Sequence, residues 1–208
     1  MKKGILTLTV ATLSSLILLG CNSDSNNDTE TTDTTTGDTL ILTSNGMISS
    51  IDRAMPNKII SNLKVTGLQA GDELVGIDYR PKDSKLYAVG FMGNIYTLNP
   101  STGVATFVKK LIAEPTDTTD GNAAFSTILG DANLITVNFN PVADRLRVIT
   151  NTGQNLRINV DTGATITDGA INLAAGSATV VAGAYTNAFA GTSSTKLYSI
   201  DQNSDRVY

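Results

Sequence analysis

An ungapped internal repeat constrains the fold of this chain more than any other feature of the sequence. The thirty residues from Leu74 to Gly103 return sixty positions later as the thirty residues from Leu134 to Gly163. Seven aligned pairs are identical: Leu74/Leu134, Pro81/Pro141, Leu86/Leu146, Gly93/Gly153, Asn99/Asn159, Thr102/Thr162 and Gly103/Gly163. Self-similarity at a fixed spacing is typical of folds that stack copies of one supersecondary unit. The sequence therefore predicts a fold built from a repeated unit.

Each copy has the pattern of two strands joined by turns. In the first copy, Lys85–Val89 and Asn94–Leu98 are rich in Tyr, Val and Ile, which favour strands. Asn99–Gly103 follows them with the Pro and Gly that are typical of a turn. We therefore expect an all-β fold, apart from one helical turn suggested around Ala123–Leu129.

Partial copies flank the two complete ones. Leu40–Asp52 aligns with the later half of a copy, and Lys196–Ile200 aligns with its first strand. The glycines Gly46, Gly93 and Gly153 then recur at intervals of 47 and 60 residues. Periods of about 40 to 50 residues with several short strands are typical of propeller blades. The predicted fold class is all-β with a β-propeller-like repeat architecture.

The longer second interval and the end of the chain need separate explanations. The polar segment Glu114–Asn122 is interpreted as an inserted surface loop. At the other end, Tyr208 stands where the next strand of a copy should be under way, and a blade cut short leaves apolar strand edges open. We therefore expect the architecture to be incomplete at the C-terminus, which a coding sequence continuing past Tyr208 would confirm.

The first twenty residues have the pattern of an export signal. Lys2 and Lys3 precede an apolar or hydroxylic run that is too short for a comfortable membrane span. The run ends in Leu18-Leu19-Gly20-Cys21, which resembles the lipobox of bacterial lipoproteins. The resemblance implies a signal peptide over residues 1–20 and a mature protein that is bound to the membrane through acylated Cys21. Asn22 is not the aspartate associated with inner-membrane retention, so an outer-membrane location in the cell envelope is favoured.

Charge and composition divide the mature chain in two. Residues 22–39 contain five acidic and no basic side chains among many Ser, Thr and Asn, so residues 21–39 are expected to be a flexible acidic tether. Residues 40–208 contain 14 acidic and 13 basic side chains and form the predicted repeat domain. Such a nearly neutral domain does not have the basic surface of a nucleic-acid-binding protein, and no nucleic-acid partner is expected.

Motifs in both copies carry a family resemblance. The motifs are Asn138–Pro141, Asp144–Val148 and Gly153–Arg157, supported by Gly76–Pro81, Leu86–Ala88, Ala184–Asn187 and Leu197–Asp201. Together they resemble the DUF4394 family, a domain of unknown function in bacterial secreted proteins, over residues 40–208. The resemblance implies a WD40- or YVTN-like propeller, and it brings no established activity, substrate or catalytic residue.

The second copy has gained positive charge on one hairpin. Strand residues two apart share a face, so Arg145 and Arg147 project together, and Asn155 and Arg157 do so on the returning strand. With Tyr185 they are the candidate ligand-binding residues. One hypothesis is an anion or carbohydrate-acid site built from guanidinium forks.

The alternative is that acidic side chains neutralise these arginines at a junction between blades. Asp144, Asp161 or an acid from the next blade are the expected partners, because like charges across a strand pair are unfavourable unless they are neutralised. In the first copy, Tyr87 and Thr97 stand where Arg147 and Arg157 stand in the second.

Catalytic and metal sites are poorly supported by the sequence. The chain has no histidine and one cysteine, which excludes Ser-His-Asp and Cys-His catalysis, and neither a metal nor a cofactor is expected. Asp78, Asp83 and Asp144 remain conceivable catalytic carboxylates, and ordinary turn acids are the alternative. The oxygen-rich segment Asp117–Gly121 suits calcium but does not fit EF-hand ligand spacing.

Three functions remain open. The favoured one is a binding or interaction module for a glycan or an envelope protein, and the alternatives are a carbohydrate-active hydrolase or lyase using carboxylates in a propeller funnel and a structural envelope component. For a glycan, tyrosines offer either a stacking surface or blade packing with hydroxyls at the rim. These tyrosines are Tyr79, Tyr87, Tyr96, Tyr185 and Tyr198.

Overall fold

The computed structural model describes residues 35–117, 123–169, 171–173 and 176–208. The regular elements of these residues are all β-strands, and none of the residues lies in an α-helix. The expected helical turn at Ala123–Leu129 is wrong, because this segment is irregular and packs Phe125 and Ile128 into the core. Cys21, residues 1–34 and most of the Asp117–Gly121 segment lie outside the described residues. No helix in the described part of the chain is long and apolar enough to cross a membrane.

The described strands belong to four successive sheets and one short hairpin. Sheet 1 contains β1 (Thr39–Leu42), β2 (Met47–Asp52) and β3 (Met55–Lys64). Sheet 2 contains β4 (Leu74–Tyr79), β5 (Leu86–Gly90), β6 (Asn94–Leu98) and β7 (Ala105–Lys110). Sheet 3 contains β8 (Ile112–Ala113), β9 (Ile135–Asn140), β10 (Arg145–Thr150), β11 (Asn155–Ile158) and β12 (Ala164–Asp168). The hairpin is β13 (Asn172–Leu173) with β14 (Gly176–Ser177), and sheet 4 contains β15 (Val180–Tyr185), β16 (Leu197–Asp201) and β17 (Arg206–Val207).

Each sheet is an antiparallel meander in chain order, with one addition. In sheet 3 the order is β8-β12-β11-β10-β9, and β8, which directly follows sheet 2, runs parallel to the outer strand β12. The single bridge between Thr66 and Val104 is also parallel and joins the chain that leaves sheet 1 to the outer strand of sheet 2. The connecting chain therefore fastens each of these sheets to the outer edge of the next.

The repeat predicted from the sequence is confirmed in the backbone. The turns at Gly46, Gly93 and Gly153 all have positive φ, at 72°, 79° and 86°. Each of these glycines donates its N–H to the carbonyl oxygen three residues earlier. Asn99 and Asn159 likewise close matching turns, since each accepts a hydrogen bond from the residue four positions later. The same turn chemistry therefore produces the same hairpins in successive sheets.

Apolar side chains fill the spaces between consecutive sheets. Sheets 1 and 2 enclose a core of Ile48, Val65, Leu86, Ala88, Tyr96, Leu98 and Ala105. Sheets 2 and 3 enclose the largest core, which includes Tyr87, Val89, Ile95, Val137, Phe139, Leu146, Val148, Leu156 and Ile158. Sheets 3 and 4 meet at a small core of Ile149, Ala178 and Val180. The third junction is therefore the least apolar.

The first strands of sheets 2, 3 and 4 lie side by side, with β9 between β4 and β15. A Cβ atom on Gly76 of β4 would lie 2.4 Å from Cγ2 of Val137 on β9. On the other side of β9, Thr136 donates a hydrogen bond to the carbonyl oxygen of Gly183 at 3.2 Å. Glycine at these two positions allows the close approach of the strands. No sheet in the described part of the chain closes on itself.

Candidate functional site

Four of the five predicted ligand-binding residues meet at the junction of sheets 3 and 4. Arg147 donates to Asp168 Oδ2 at 2.5 Å, to Asn155 Oδ1 at 2.7 Å and to the Tyr185 hydroxyl at 3.4 Å. Arg157 donates to Oδ1 of Asp168 at 2.8 Å and to Oδ2 at 3.2 Å. We call Arg147, Asn155, Arg157, Asp168 and Tyr185 the arginine cluster.

Strand register explains why these side chains meet. Arg147 on β10 lies opposite Arg157 on β11, and Asn155 on β11 lies opposite Asp168 at the end of β12. Residues opposite each other in a sheet share a face, so the four side chains point the same way. Tyr185 reaches them from β15 of sheet 4.

The arginine cluster contains two guanidinium groups and one carboxylate. Burial works to lower the pKa of Arg147, but the hydrogen bonds to Tyr185 and Asp168 outweigh it and raise that pKa above its usual value. The Asp168 side chain is 18% exposed and that of Arg157 is 37% exposed. The cluster thus carries an excess positive charge, and the guanidinium of Arg157 reaches solvent.

A cavity of about 350 Å³ with a mostly apolar lining adjoins the cluster. Asn155 and Asp168 form part of its lining, together with Thr167. Among the described residues, the buried hydroxyl oxygen of Thr167 has no hydrogen-bond partner. Thr167 lies opposite the core residue Leu156, so its side chain is on the face of sheet 3 that packs toward sheet 2, away from the arginine cluster.

The remaining predicted residue and two predicted acids lie elsewhere. Arg145 donates to the carbonyl oxygens of Ala143 and Asp144 at the turn before β10, away from the cluster. The expected pairing of Asp144 and Asp161 with the arginines of sheet 3 is wrong. Both carboxylates bind Arg80 of sheet 2 instead, and Asp168 has the neutralising role.

Arg80 is the centre of an ionic junction between sheets 2 and 3. Its guanidinium donates to both oxygens of Asp144, each at 2.7 Å, and to both oxygens of Asp161, each at 2.8 Å. It also contacts Tyr87, whose hydroxyl lies 3.4 Å from Nη1. Arg80 is 3% exposed, so the junction is shielded from water on its cationic side. The hydrogen bonds from Arg80 hold the pKa of Asp144 and that of Asp161 below the usual value.

Sequence reasoning missed Arg80 because nothing marked it as special. It is aligned with Asn140 in the second copy, so it stands at a position that the repeat does not preserve. A charge difference between the two copies could have identified Arg80, but the prediction used only the arginines that the second copy has gained. Asp144 and Asp161 lie in two different turns of sheet 3, and only the stacking of sheets brings these turns to Arg80.

The candidate catalytic carboxylates do not form an acid–base pair. Asp83 and Asp144 both face Arg80, at 3.5 Å and 2.7 Å. Asp78 accepts hydrogen bonds from the backbone N–H of Phe139 and Tyr79, and burial raises its pKa to about 6. Among the described residues, no group of three His, Cys, Asp or Glu side chains could hold a metal ion.

The tyrosines have two kinds of environment. Tyr87 and Tyr96 are buried, and their hydroxyls donate to Asp83 and Asp72 at 3.0 Å and 2.7 Å. Tyr79 and Tyr198 are each 47% exposed. Tyr87 and Tyr96 therefore match the predicted packing along the strands, whereas Tyr79 and Tyr198 are accessible to solvent.

The chain belongs to a known family. Residues 47–208 match the family described as Domain of unknown function (DUF4394), which is most of the chain and confirms the resemblance seen in its motifs. A comparison with curated proteins found no match.

Replacing Arg80 with Ala should destabilise the protein strongly. Two carboxylates would lose their buried cationic partner, and we expect a loss of about 3 kcal/mol in the free energy of unfolding, near the lower end for a broken buried pair because the Asp161 side chain is 55% exposed. Urea unfolding followed by circular dichroism measures it. The matched control is Arg53→Ala, since Arg53 forms one exposed pair with Asp38 and should change stability little. Equal losses in the two variants would contradict the role given to Arg80.

Stability should also respond to the protonation of Asp78. Its pKa of about 6 lies above the ordinary value of 3.8, so ionised Asp78 costs stability above pH 6 and the free energy of unfolding should rise as the pH falls from 6 to 4. The gain is at most roughly 3 kcal/mol. Urea unfolding at several pH values should show that Asp78→Asn reduces this rise, while Asp205→Asn, at an exposed position, keeps it. A rise that is unchanged in Asp78→Asn would refute the assignment.

Proposed function

We propose that this protein is a lipid-anchored module of the bacterial cell envelope whose sheets are blades of a β-propeller and which binds an acidic saccharide. The blade arrangement is supported by the meander of each sheet, by the adjacent first strands β4, β9 and β15, and by the spacing of the repeats. Propellers host many functions, so the ligand has to be argued from the site.

The arginine cluster is the observation that supports an acidic ligand. Tyr87 and Thr97 in sheet 2 correspond to Arg147 and Arg157 in sheet 3, so two uncharged positions have become cationic. A planar guanidinium binds a carboxylate through two parallel hydrogen bonds, as Arg157 already does with Asp168, so a ligand carboxylate would bind Arg157 in competition with Asp168. Hydroxyl groups of a sugar acid would then find Asn155 at the edge of the adjoining cavity.

The size of the cavity agrees with this ligand class. About 350 Å³ lies at the lower end of the range for small-molecule sites. Because Asp168 already pairs with both arginines, an acidic ligand competes with it, and we expect moderate rather than tight affinity.

Binding should depend on Arg157 and not on Arg145. An array of acidic and neutral glycans identifies the sugar acid, and calorimetric titration gives its affinity. Arg157→Thr, which installs the residue of the first copy, should weaken binding about tenfold or more, because a hydrogen bond to a charged group is worth about 1.5–3 kcal/mol. Arg145→Thr is the matched control on the same sheet and should bind normally.

The alternative outcomes are distinguishable. Undiminished binding in Arg157→Thr, with a lower melting temperature, would show that the cluster is structural and would refute the site. Preference for the neutral form of the same sugar would refute the proposed ligand class.

The hydrolase or lyase alternative has one observation in its favour. Asp78 has a pKa of about 6, which suits a general acid or base near neutral pH. A turnover assay with the same glycans separates the two functions. Product formation that is lost in Asp78→Asn favours the enzyme, and binding without product favours the module. A structural envelope role is favoured if neither assay responds and a protein partner is recovered instead.

Membrane attachment should depend on Cys21. Acyl chains contribute about 0.8 kcal/mol per buried methylene, so several chains on one cysteine anchor a protein firmly. Cys21→Ser should abolish labelling by radioactive palmitate and move the protein from the membrane fraction to the soluble fraction. Asn22→Asp is the matched variant, and it should keep the label but favour the inner membrane. Labelling that persists in Cys21→Ser would contradict the anchor.

A further inference from the structure

The cavity beside the arginine cluster has one apolar wall. This wall is the segment Ala123–Leu129, which contributes Ala123, Ala124, Phe125 and Leu129 to the lining. Phe125 is 9% exposed, whereas Leu129 is 49% exposed although its side chain is apolar. Contact between Leu129 and an apolar group of a bound molecule would remove both surfaces from water, which is favourable. The cavity therefore offers an apolar group a place next to a cationic cluster.

Gln154 fixes this wall against sheet 3. Its Nε2 donates to the carbonyl oxygen of Thr127 at 2.8 Å, and its Oε1 accepts from the backbone N–H of Leu129 at 3.0 Å. From the same segment, Phe125 and Ile128 are anchored in the core between sheets 2 and 3. The wall is thus held in place without a ligand, and binding does not have to supply the cost of ordering it.

The other side of the cavity belongs to the arginine cluster. Asn155 and Asp168 line it. Arg157 lies two residues beyond Asn155 on β11, which is about 7 Å along a strand, and the two side chains share a face. A single sugar ring spans a distance of this size. A ligand whose carboxylate binds Arg157 therefore places a substituent from the far side of its ring at the edge of the cavity.

Asn155 provides a polar contact at this edge. Its Oδ1 accepts from Arg147 at 2.7 Å, and its Nδ2 donates to the carbonyl oxygen of Gly169 at 2.9 Å. A side-chain amide has two N–H groups, so the second N–H of Asn155 has no partner among the described residues. This N–H can donate to a carbonyl oxygen. An acylated amine on a ligand presents such an oxygen directly beside an apolar methyl group.

We propose that the acidic saccharide bound at the arginine cluster carries an N-acyl group, such as an acetamido group, which enters this cavity. The inference rests on the proposed function, because it requires the contact between the ligand carboxylate and Arg157. The methyl end of the acyl group contacts Leu129, and its carbonyl oxygen accepts a hydrogen bond from Asn155. A cavity of about 350 Å³ has room for this group.

Two sugar acids that differ in one substituent test the inference. The probes are N-acetylneuraminic acid and its deaminated analogue, in which a hydroxyl group replaces the acetamido group. Calorimetric titration should show about tenfold tighter binding of the acetylated sugar, because one methylene in a hydrophobic pocket changes discrimination about 10- to 200-fold. Equal affinity for the two sugars would overturn the inference and would leave the acid site intact.

A change in the apolar wall should remove this preference. Leu129→Asn should weaken binding of N-acetylneuraminic acid about tenfold and leave the affinity for the deaminated analogue unchanged. Val142→Asn is the matched control, since Val142 is also 49% exposed but lies outside the cavity lining, and it should change neither affinity. Circular dichroism verifies that both variants are folded. An unchanged preference in folded Leu129→Asn would also overturn the inference.

Failure of the proposed function has a different signature. Arg157→Thr should weaken binding of both sugars by the same factor, because it removes the carboxylate contact that they share. If both sugars bind and this variant weakens neither of them, the acid site at the arginine cluster is refuted, and the inference is refuted with it. If neither sugar binds to the unmodified protein, both proposals are overturned.

Discussion

The fourfold ionic contact of Arg80 holds the two central sheets of this protein in register. Its guanidinium binds the carboxylates of Asp144 and Asp161, which lie in two different turns of sheet 3. Apolar packing between sheets is non-directional, so it favours contact without specifying how the sheets are offset. Two-bond contacts between a guanidinium and a carboxylate fix the relative orientation of the two groups as well as their distance. The offset in turn brings Tyr87 against Phe139, where their rings meet edge to face at 5.4 Å between centroids.

The repeated unit keeps its backbone while its faces diverge. Each copy uses the same glycine turn and the same asparagine turn, so hairpin geometry is common to sheets 2 and 3. Side chains on the face toward the following sheet are free to change, provided the next sheet accommodates them. In sheet 2 that face is mostly apolar, and in sheet 3 it carries Arg147 and Arg157 around Asp168. The candidate site is therefore a modified junction between two units.

The strand register confirms that Arg147 and Arg157 share a face, and their role in ligand binding stays a prediction. Alternation along β10 and β11 was sufficient to place Arg147, Asn155 and Arg157 on one face, because side-chain direction in a strand has a period of two. Asp168 was not found from the sequence, since it lies five residues beyond the repeat, which ends at Gly163. The predicted pairing of Asp144 with the arginines of sheet 3 was wrong. Asp144 is next to Arg145 in sequence, but Arg80 from another sheet binds it.

Local patterns in the chain were enough to establish the all-β class, the repeat and its glycine turns. Each depends on short-range chemistry, namely strand propensity, alternation and the positive φ that glycine permits at Gly46, Gly93 and Gly153. The partners of Arg80 and of the arginine cluster emerge only in the folded chain. They depend on how separate sheets stack, and stacking joins residues far apart in sequence, as the sixty-four positions between Arg80 and Asp144 show.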